Sequence, residues 1–563
     1  MINKAIENNI RNLFSEKKYD ELIEVIEKIS NFEDRVPGMS SLLGICRISK
    51  INRSKQDLIL GLKDFINAFE KSNDKNLTIE VLCNFISCSL NNHQKELNLL
   101  EYLSIAKNMF RKTEKKFGYH EKLFIHGVDL YNFFCDHEKL RLILKSLLIN
   151  GTKSKSILCT YSFFNNYLYH WGKKDYYDYS LKFKNFFPTL ETKKLNEIDF
   201  DSNKKIKIGF ISCDFINHSV SYNTKPLLEN LDKTKFETYG IYLGKSKDIN
   251  NPASDITNVF DKWLNLSNHS NQQIINIIQN EKIEILIDQM GLTQASRIEI
   301  FNNRISPIQI SWNAFCNTVG FDTIDYILVD NNLIYDDEQQ FYSEKILRLK
   351  NIWNCHSGFN FERKKPTLPY KKNNFITFGS FNNFLKISDE VVDVWSTILN
   401  KLKNSQLILK SSYKYDSSSI LRKFEKKGVT DSIKILDRAN YPDIKDHLNL
   451  YNSIDISLDT FPYNGVTTSF ESLWSGVPVM SLRGFNFNSR CGESILINGD
   501  LNFFLATNKD EYIKKCILLS ENIEKLELER EKLFKNILNT PLFDAKQFAN
   551  DFKETLLSVY KKN

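Results

Sequence analysis

The sequence predicts an all-α repeat region followed by two Rossmann-like α/β lobes, and three observations lead to this fold class. Apolar residues follow the helical period of about 3.6 residues up to about residue 198. From Lys204 onward, short apolar strands alternate with helical stretches, which is typical of parallel sheets covered by helices on both faces. A Lys- and Pro-rich segment, residues 361–374, interrupts this alternation once and divides it into two sets.

The helical region shows its period in the stretches KKYDELIEVIEKIS and QDLILGLKDFINAFEKS. Helix pairs recur at a spacing of roughly 35 to 40 residues, which is typical of a tetratricopeptide-like solenoid. Such an array buries apolar faces between neighbouring helices and leaves a concave surface that can bind a peptide. A plain helical bundle is the alternative, because the repeat consensus is poor.

Each α/β set contains about five apolar strands. KIKIGFIS, FETYGIYLG, IEILIDQM, PIQISW and YILVD belong to the first, and FITFGSF, QLILKSS, SIKIL, DISLD and VPVMSL belong to the second. The predicted domains are therefore a helical region (1–198), a first lobe (204–360), a linker (361–374) and a second lobe (375–563). Ligands bind at the carboxyl ends of strands in such sheets, so we expect the active site in the cleft between the lobes.

Composition narrows the class of protein. The 563 residues are 42% hydrophobic with a net charge of +7, and no apolar run approaches the ~18 residues of a membrane span. The N-terminus lacks the apolar centre of a signal peptide. Ten cysteines are scattered without CxxC pairs or metal-ligand spacing, which favours reduced thiols in a cytoplasmic protein. No nucleic-acid-binding motif is present, and the DxD sequence Asp199-Phe-Asp201 is interpreted as part of a connection rather than a metal site.

The stretch Ser457–Leu482 reads as strand, turn, helix and strand. Its turn contains Asn464-Gly465, and Thr467 and Thr468 follow at the expected start of a helix. Hydroxyls beside the unpaired amides of a helix N-terminus suit a phosphate. A purely structural alternative is a capping box formed by Thr468 and Glu471.

Two other strand ends carry polar candidates. His218 lies in SCDFINHSVSYN after the first strand of the first lobe, and Lys386 lies in GSFNNFLKIS after the first strand of the second. A lysine just before a helix start, here with Ser388 as the expected N-cap, is disfavoured by the helix dipole unless an anion binds there. The alternative for both side chains is an ordinary solvated surface position.

Taken together, these stretches resemble the catalytic region of the protein O-linked N-acetylglucosamine transferase family, in its bacterial SPINDLY-like branch. The resemblance covers most of residues 204–560. It includes IGFISCDFINHSVSYN, RISPIQISWNAF with DTIDYILVD, and FGSFNNFLKIS, followed by DHLNLYNSIDISLDTFPYNGVTTSFESLWSGVPV, SRCGESIL and TPLFDAKQFANDF.

The resemblance implies a GT-B fold, inverting chemistry, a nucleotide-sugar donor and no required metal or other cofactor. It assigns Lys386 to neutralise the leaving diphosphate and His218 to the acceptor side of the cleft. The remaining donor-binding residues that it implies are Asn383, His447, Asn464, Gly465, Thr467, Thr468 and Glu471, with Gly465 and the two threonines on the diphosphate, Glu471 on the ribose and His447 beside the uracil.

The sequence also departs from the family pattern. Val466 replaces a histidine of the animal enzymes, and the family's other acid/base candidates correspond here to Asn280 and Glu284. Gly291-Leu292-Thr293 replaces a GYT sequence, so the sugar pocket can differ. The resemblance therefore leaves the general base open.

The resulting expectation is a transferase that moves N-acetylglucosamine from UDP-N-acetylglucosamine to Ser or Thr hydroxyls of a protein that the helical region presents. Three alternatives stay open: an asparagine acceptor with a UDP-hexose, an O-fucosyltransferase that uses GDP-fucose, and a repeat scaffold with degenerate lobes. No nucleic-acid or membrane partner is expected.

Overall fold

The structure is a computed structural model of the chain, and it describes residues 4–93, 97–195, 204–244, 254–412, 414–441 and 443–561. The chain forms two compact units. One comprises Met1–Thr152 and Tyr413–Ser419, and the other comprises Lys153–Ser412 and Ile420–Asn563. The predicted end of the helical region, residue 198, lies outside the described residues.

The first unit is all-α, and each helix packs on its neighbours along the chain. Gly44 and Gly61 allow the third and fourth helices to approach closely, because a Cβ on Gly44 would lie 3.0 Å from the Gly61 carbonyl oxygen. The predicted helical repeat region is confirmed. Its helices are α1 (Lys4–Ser15), α2 (Tyr19–Ile29), α3 (Pro37–Ser49), α4 (Lys55–Lys71), α5 (Lys75–Asn92), α6 (Leu100–Phe117), α7 (Glu121–Phe133) and α8 (His137–Ile149).

The second unit begins with two further helices, α9 (Lys155–Asn165) and α10 (Lys173–Phe183). They pack on the lobes: Lys155 pairs with Glu299 at 2.8 Å, and the Ser180 hydroxyl donates to the Thr318 carbonyl at 3.0 Å. Two helices of the predicted helical region, α9 and α10, therefore belong to the second unit.

The first lobe is a seven-stranded parallel sheet with the order β3-β2-β1-β4-β5-β6-β7. Its strands are β1 (Ile206–Ser212), β2 (Phe236–Tyr242), β3 (Lys262–Asn265), β4 (Ile285–Asp288), β5 (Ile308–Ser311), β6 (Tyr326–Val329) and β7 (Lys345–Arg348). Its helices are α11 (Ser219–Asn230), α12 (Ser254–Thr257) and α13 (Asn271–Glu281).

The second lobe is a six-stranded parallel sheet with the order β10-β9-β8-β11-β12-β13. Its strands are β8 (Ile376–Ser380), β9 (Ser405–Lys410), β10 (Ile433–Leu436), β11 (Ile456–Leu458), β12 (Val479–Leu482) and β13 (Leu505–Ala506). The remaining helices are α14 (Tyr370–Asn373), α15 (Asp389–Lys401), α16 (Ser417–Glu425), α17 (Ile444–Asn449), α18 (Thr467–Trp474), α19 (Phe487–Asn498), α20 (Lys509–Glu521), α21 (Ile523–Asn536) and α22 (Ala545–Tyr560).

The last helix, α22, returns to the first lobe although it follows the second in sequence. The Phe552 ring stacks on Phe210 of β1, and the Tyr560 hydroxyl donates to Glu284 at 2.6 Å. Two parallel sheets with a C-terminal helix that crosses back form the GT-B fold that the sequence predicts. In each sheet the strand order reverses beside the first strand, β1 or β8, which is where ligands bind in open α/β sheets.

A buried ion pair joins the two lobes. The Arg490 guanidinium on α19 donates to both carboxylate oxygens of Glu338, at 2.7 and 2.8 Å, and both side chains are at most 4% exposed. Beside it, the Ser494 hydroxyl donates to Asp330 at 2.5 Å. The predicted SRCGESIL segment thus lies at the lobe interface.

Candidate active site

The turn after β11 is built on the buried carboxylate of Asp459. This carboxylate accepts hydrogen bonds from the Gly465 and Thr460 amides, at 2.6 and 2.9 Å, and from the Ser481 hydroxyl at 2.6 Å. Burial raises the pKa of Asp459 to about 6, although these donors favour its charged form. The Gly465 amide, which we expected to bind a diphosphate, is therefore already engaged by Asp459.

Helix α18 begins at Thr467, and no side chain caps its N-terminus. The structural alternative, a capping box formed by Thr468 and Glu471, is wrong, because Thr468 lies inside the helix and Glu471 contacts other partners. The Thr468 hydroxyl donates to Asn382 at 3.1 Å, whereas the Thr467 hydroxyl has no hydrogen-bond partner among the described residues. The helix start therefore offers free amides and one free hydroxyl to a ligand.

Lys386 lies against this turn. Its ammonium donates to the Asn464 carbonyl at 2.7 Å and approaches the Asn382 side-chain oxygen at 3.4 Å. Burial lowers the pKa of Lys386, and the charge of Asp459 partly offsets that effect. The predicted N-cap after it is confirmed, since the Ser388 hydroxyl accepts from the Val391 amide at 3.4 Å. A cation and a helix N-terminus thus converge on one edge of the cleft.

Both asparagines of the prediction have structural hydrogen bonds. The Asn464 side chain is fully buried, accepts from the Gly492 amide at 3.1 Å and donates to the Thr460 carbonyl at 2.9 Å. The Asn383 side chain is exposed and accepts from the Leu385 amide at 2.9 Å. Asn464 therefore shapes the turn from within, and its backbone carbonyl is the part that contacts Lys386.

Glu471, one turn further along α18, ends a chain of polar contacts. The Lys410 ammonium lies 2.7 Å from Nδ1 of His447, and Nε2 of His447 lies 3.1 Å from Glu471. Because a lysine can only donate, Nδ1 accepts and the proton of His447 resides on Nε2, directed at Glu471. The Tyr451 hydroxyl donates to the same carboxylate at 3.0 Å. Burial lowers the pKa of Lys410 to about 8.

His218 caps α11 of the first lobe at the opposite side of the cleft. It is exposed, and its Nδ1 accepts from the Val220 amide at 3.4 Å. One turn along α11, partial burial raises the pKa of Tyr222, and the nearby charge of Glu471 adds to the effect. The Tyr222 ring lies 6.4 Å from His356, whose ring in turn stacks 6.1 Å from Phe470 of α18. The N-terminal turn of α11 therefore faces the part of the second lobe that carries Glu471.

The two substituted acid/base positions lie elsewhere. Asn280 accepts from Lys193 at 2.7 Å, and Glu284 accepts from the Lys207 amide and from Tyr560 just before β4. Both positions precede the strand, whereas His218 follows one. Asp199-Phe-Asp201 lies outside the described residues.

Sequence reasoning missed three residues of this site: Asp459, Asn382 and Lys410. Each lies at or just after the carboxyl end of a strand of the second lobe, which is the signal that could have found them. Within the described residues, no group of three or more His, Cys, Asp and Glu side chains could hold a metal ion. No helix in the same part of the chain has the length and apolar character needed to cross a membrane.

This fold and site define a glycosyltransferase of the GT-B architecture, and comparison with known proteins gives the family. The chain matches glycosyl transferase family 41 over residues 190–357 and 361–552, which is more than half of its length, and it belongs to this family. The predicted relation to O-linked N-acetylglucosamine transferases of the SPINDLY type is confirmed.

Two relatives are plant proteins named probable UDP-N-acetylglucosamine–peptide N-acetylglucosaminyltransferase SPINDLY. The one from Arabidopsis thaliana is 30% identical over 64% of this chain and 40% of its own length. The one from Petunia hybrida is 29% identical over 64% of this chain and 39% of its own length. The chain thus spans about two fifths of these relatives.

A solved structure, a lysine-to-methionine mutant of the Thermobaculum terrenum O-GlcNAc transferase, resembles the fold with a TM-score of 0.74. It is 22% identical and covers 93% of this chain and 98% of its own. This likeness supports the fold that the two sheets and α22 define.

Proposed function

We propose that the protein transfers N-acetylglucosamine from UDP-N-acetylglucosamine to serine or threonine hydroxyls of a protein acceptor. The observation that carries this proposal is the position of the Lys386 ammonium beside the uncapped start of α18. Negative charge accumulates on a diphosphate as its bond to the sugar breaks, and a cation beside free helix amides stabilises that charge. The names of the plant relatives support the choice of donor and acceptor.

In the proposed reaction, the acceptor oxygen bonds to the anomeric carbon while the bond from that carbon to the donor β-phosphate oxygen breaks. Lys386 and the Thr467 hydroxyl stabilise the negative charge that accumulates on the diphosphate. Because these groups supply the compensating charge, we propose that no metal is required. Attack from the side opposite to the leaving group inverts the anomeric centre.

His218 is proposed to bind the acceptor hydroxyl. With Nδ1 accepting from the Val220 amide, the neutral ring carries its proton on Nε2. In this tautomer His218 donates a hydrogen bond to the acceptor oxygen rather than removing its proton. The proton of the attacking hydroxyl then passes to a donor phosphate oxygen or to water.

The Lys410–His447–Glu471 chain is proposed to hold the nucleoside. Glu471 keeps carboxylate lone pairs for ribose hydroxyls, and the His447 ring offers a flat face to the base. The helical repeats, in the tetratricopeptide-like form that the sequence predicts, are proposed to present the acceptor protein. The ten cysteines are reduced thiols, which supports a cytoplasmic location.

Calorimetry tests this function with UDP, GDP and UDP-N-acetylglucosamine, without metal, on the wild type and on Lys386→Ala. Lys403→Ala, which removes an exposed lysine of the same lobe, is the matched control. We expect UDP to bind the wild type and the control equally and at least about tenfold more weakly to Lys386→Ala. If only GDP binds, the proposed donor becomes GDP-fucose. If neither nucleotide binds, the transferase proposal is overturned.

A further inference from the structure

Helix α9 reaches the cleft and contacts both lobes. The Phe163 ring lies 6.4 Å from Phe315, which follows β5 in the first lobe, and 5.7 Å from Tyr463 in the turn of the second lobe. Tyr167, in the turn just after α9, lies 5.4 Å from the same Tyr463 ring. Tyr463 therefore packs against two aromatic side chains, one on α9 and one in the turn after it, that lie far from it in sequence.

Tyr463 in turn lies under Lys386. The Lys386 ammonium is 4.3 Å from the centroid of the Tyr463 ring, within the range of a cation–π contact. The same ammonium also contacts oxygens of Asn464 and Asn382, at 2.7 and 3.4 Å. The face of the Tyr463 ring thus excludes water from one side of the ammonium and still stabilises its positive charge.

We propose that Tyr463 is a positioning residue that holds the Lys386 ammonium at the start of α18, and that Phe163 of α9 and Tyr167 in the turn after α9 keep the Tyr463 ring in place. The role of Lys386 in catalysis rests on the proposed function, but the positioning itself does not. By this inference, a helix that precedes both lobes is a working part of the donor site.

The charge state of Lys386 reports on this contact. The titratable groups that face its ammonium are Asp459 after β11, Cys491 on α19, Cys316 after β5 and the Tyr463 ring that carries it. Burial lowers the pKa of Lys386, whereas a ring face stabilises the charged form. Removal of the ring should therefore lower the pKa of Lys386 further, and loss of only the phenol oxygen should not.

Competitive acetylation, followed by peptide mass spectrometry, measures the reactivity of the Lys386 amine against pH without any substrate. We expect Tyr463→Leu to lower the midpoint for Lys386 by roughly half a pH unit to one unit, and Tyr463→Phe to leave it unchanged. The same midpoint for the wild type and Tyr463→Leu would overturn the proposal.

The part played by α9 is tested by Phe163→Leu, with Tyr161→Leu as its matched control. Tyr161 is an aromatic residue of the same helix whose ring packs on Trp171 and Tyr179. We expect a lowered Lys386 midpoint in Phe163→Leu and a wild-type midpoint in the control, with both variants folded by circular dichroism. Equal midpoints in both would refute the role of α9.

Protection of Lys386 from acetylation by UDP is a separate readout on the same samples. If the variants shift the midpoint but UDP protects nothing, the positioning stands and the proposed function fails. If UDP protects Lys386 while the midpoints stay fixed, the proposed function stands and the positioning by Tyr463 fails.

Discussion

Nε2 of His447 lies 3.1 Å from the Glu471 carboxylate, and Lys410 determines the direction of this hydrogen bond through its contact with Nδ1 of the same ring. Because Lys410 donates to the other ring nitrogen, His447 must present its N–H to the carboxylate. Glu471 thus has a fixed donor on one side and Tyr451 on another, which leaves the rest of its lone pairs for a ligand.

The first prediction separates nucleoside binding from diphosphate binding. Glu471→Gln should weaken the binding of uridine and of UDP by the same factor, about tenfold. The reason is that the lost charge-assisted contact is to the ribose that both ligands share. Lys386→Ala should weaken the binding of UDP and leave the affinity for uridine unchanged. Isothermal calorimetry with the two ligands measures this, and a loss confined to UDP in Glu471→Gln would contradict the ribose assignment.

A second prediction concerns the free hydroxyl at the start of α18. Thr467→Val is nearly isosteric and breaks no described hydrogen bond, so its melting temperature should stay within about 1 °C of the wild type. Its UDP affinity should fall several-fold, because the hydroxyl is proposed to contact the diphosphate. Thr468→Val is the comparison: it loses the bond to Asn382 and should lower both quantities. Unchanged UDP affinity in Thr467→Val would remove this residue from the site.

Gly465 provides a third, steric prediction. A Cβ at this position would lie 2.4 Å from the Thr468 hydroxyl oxygen, so Gly465→Ala must push Thr468 out of place. We expect a loss of UDP affinity of at least about tenfold. Gly38→Ala, where nothing lies within 4 Å of the new Cβ, is the control and should bind UDP normally. Normal binding by both variants would show that the turn tolerates the displacement.

The pH dependence of stability tests Asp459. Its pKa is raised from 3.8 to about 6 in the folded state, so the folded protein binds the extra proton. The contribution of Asp459 to the free energy of unfolding is therefore full below about pH 4 and is lost as the pH rises through 6, by about 3 kcal/mol in total. Urea denaturation of the wild type and Asp459→Asn between pH 4 and 8 measures the difference. A difference that does not change with pH would contradict the raised pKa.

The ion pair between the lobes gives the fifth prediction. Arg490→Met leaves the Glu338 carboxylate buried without its bidentate partner, which should cost about 3 to 5 kcal/mol of stability. Lys532→Met removes an exposed partner of Glu529 and should change stability by less than about 0.5 kcal/mol. Chemical denaturation distinguishes the two, and a small effect of Arg490→Met would mean that Lys173, the other partner of Glu338, or water compensates for the lost guanidinium.

Much of the fold could be predicted because its central strands are continuous apolar runs. Strands β1, β8 and β12 match the predicted segments closely. The three strands that sequence reasoning missed are short ones at sheet edges. KWLN in β3 and KILR in β7 combine charged residues with partly exposed neighbours, and β13 has only two residues. An edge strand needs only one buried side, so its composition resembles that of a loop.

The site was predictable where a motif is local and not where contacts are long-range. Thr467 and Lys386 stand out from short stretches of sequence, and the structure brings the two stretches together through Thr468 and Asn382. Asn382 and Asn383 are adjacent, and sequence could not tell which of the two points inward. Lys410 joins the site from a separate strand, which only the fold reveals.

Helix α22 has a mechanical consequence. The chain passes between the lobes twice, once on the way into the second lobe and once on the way back, and the two passages lie side by side because the His356 amide donates to the Leu542 carbonyl at 3.0 Å. Two neighbouring crossings hold one lobe to the other more firmly than a single crossing would. We expect the paired crossings to limit twisting of one lobe against the other.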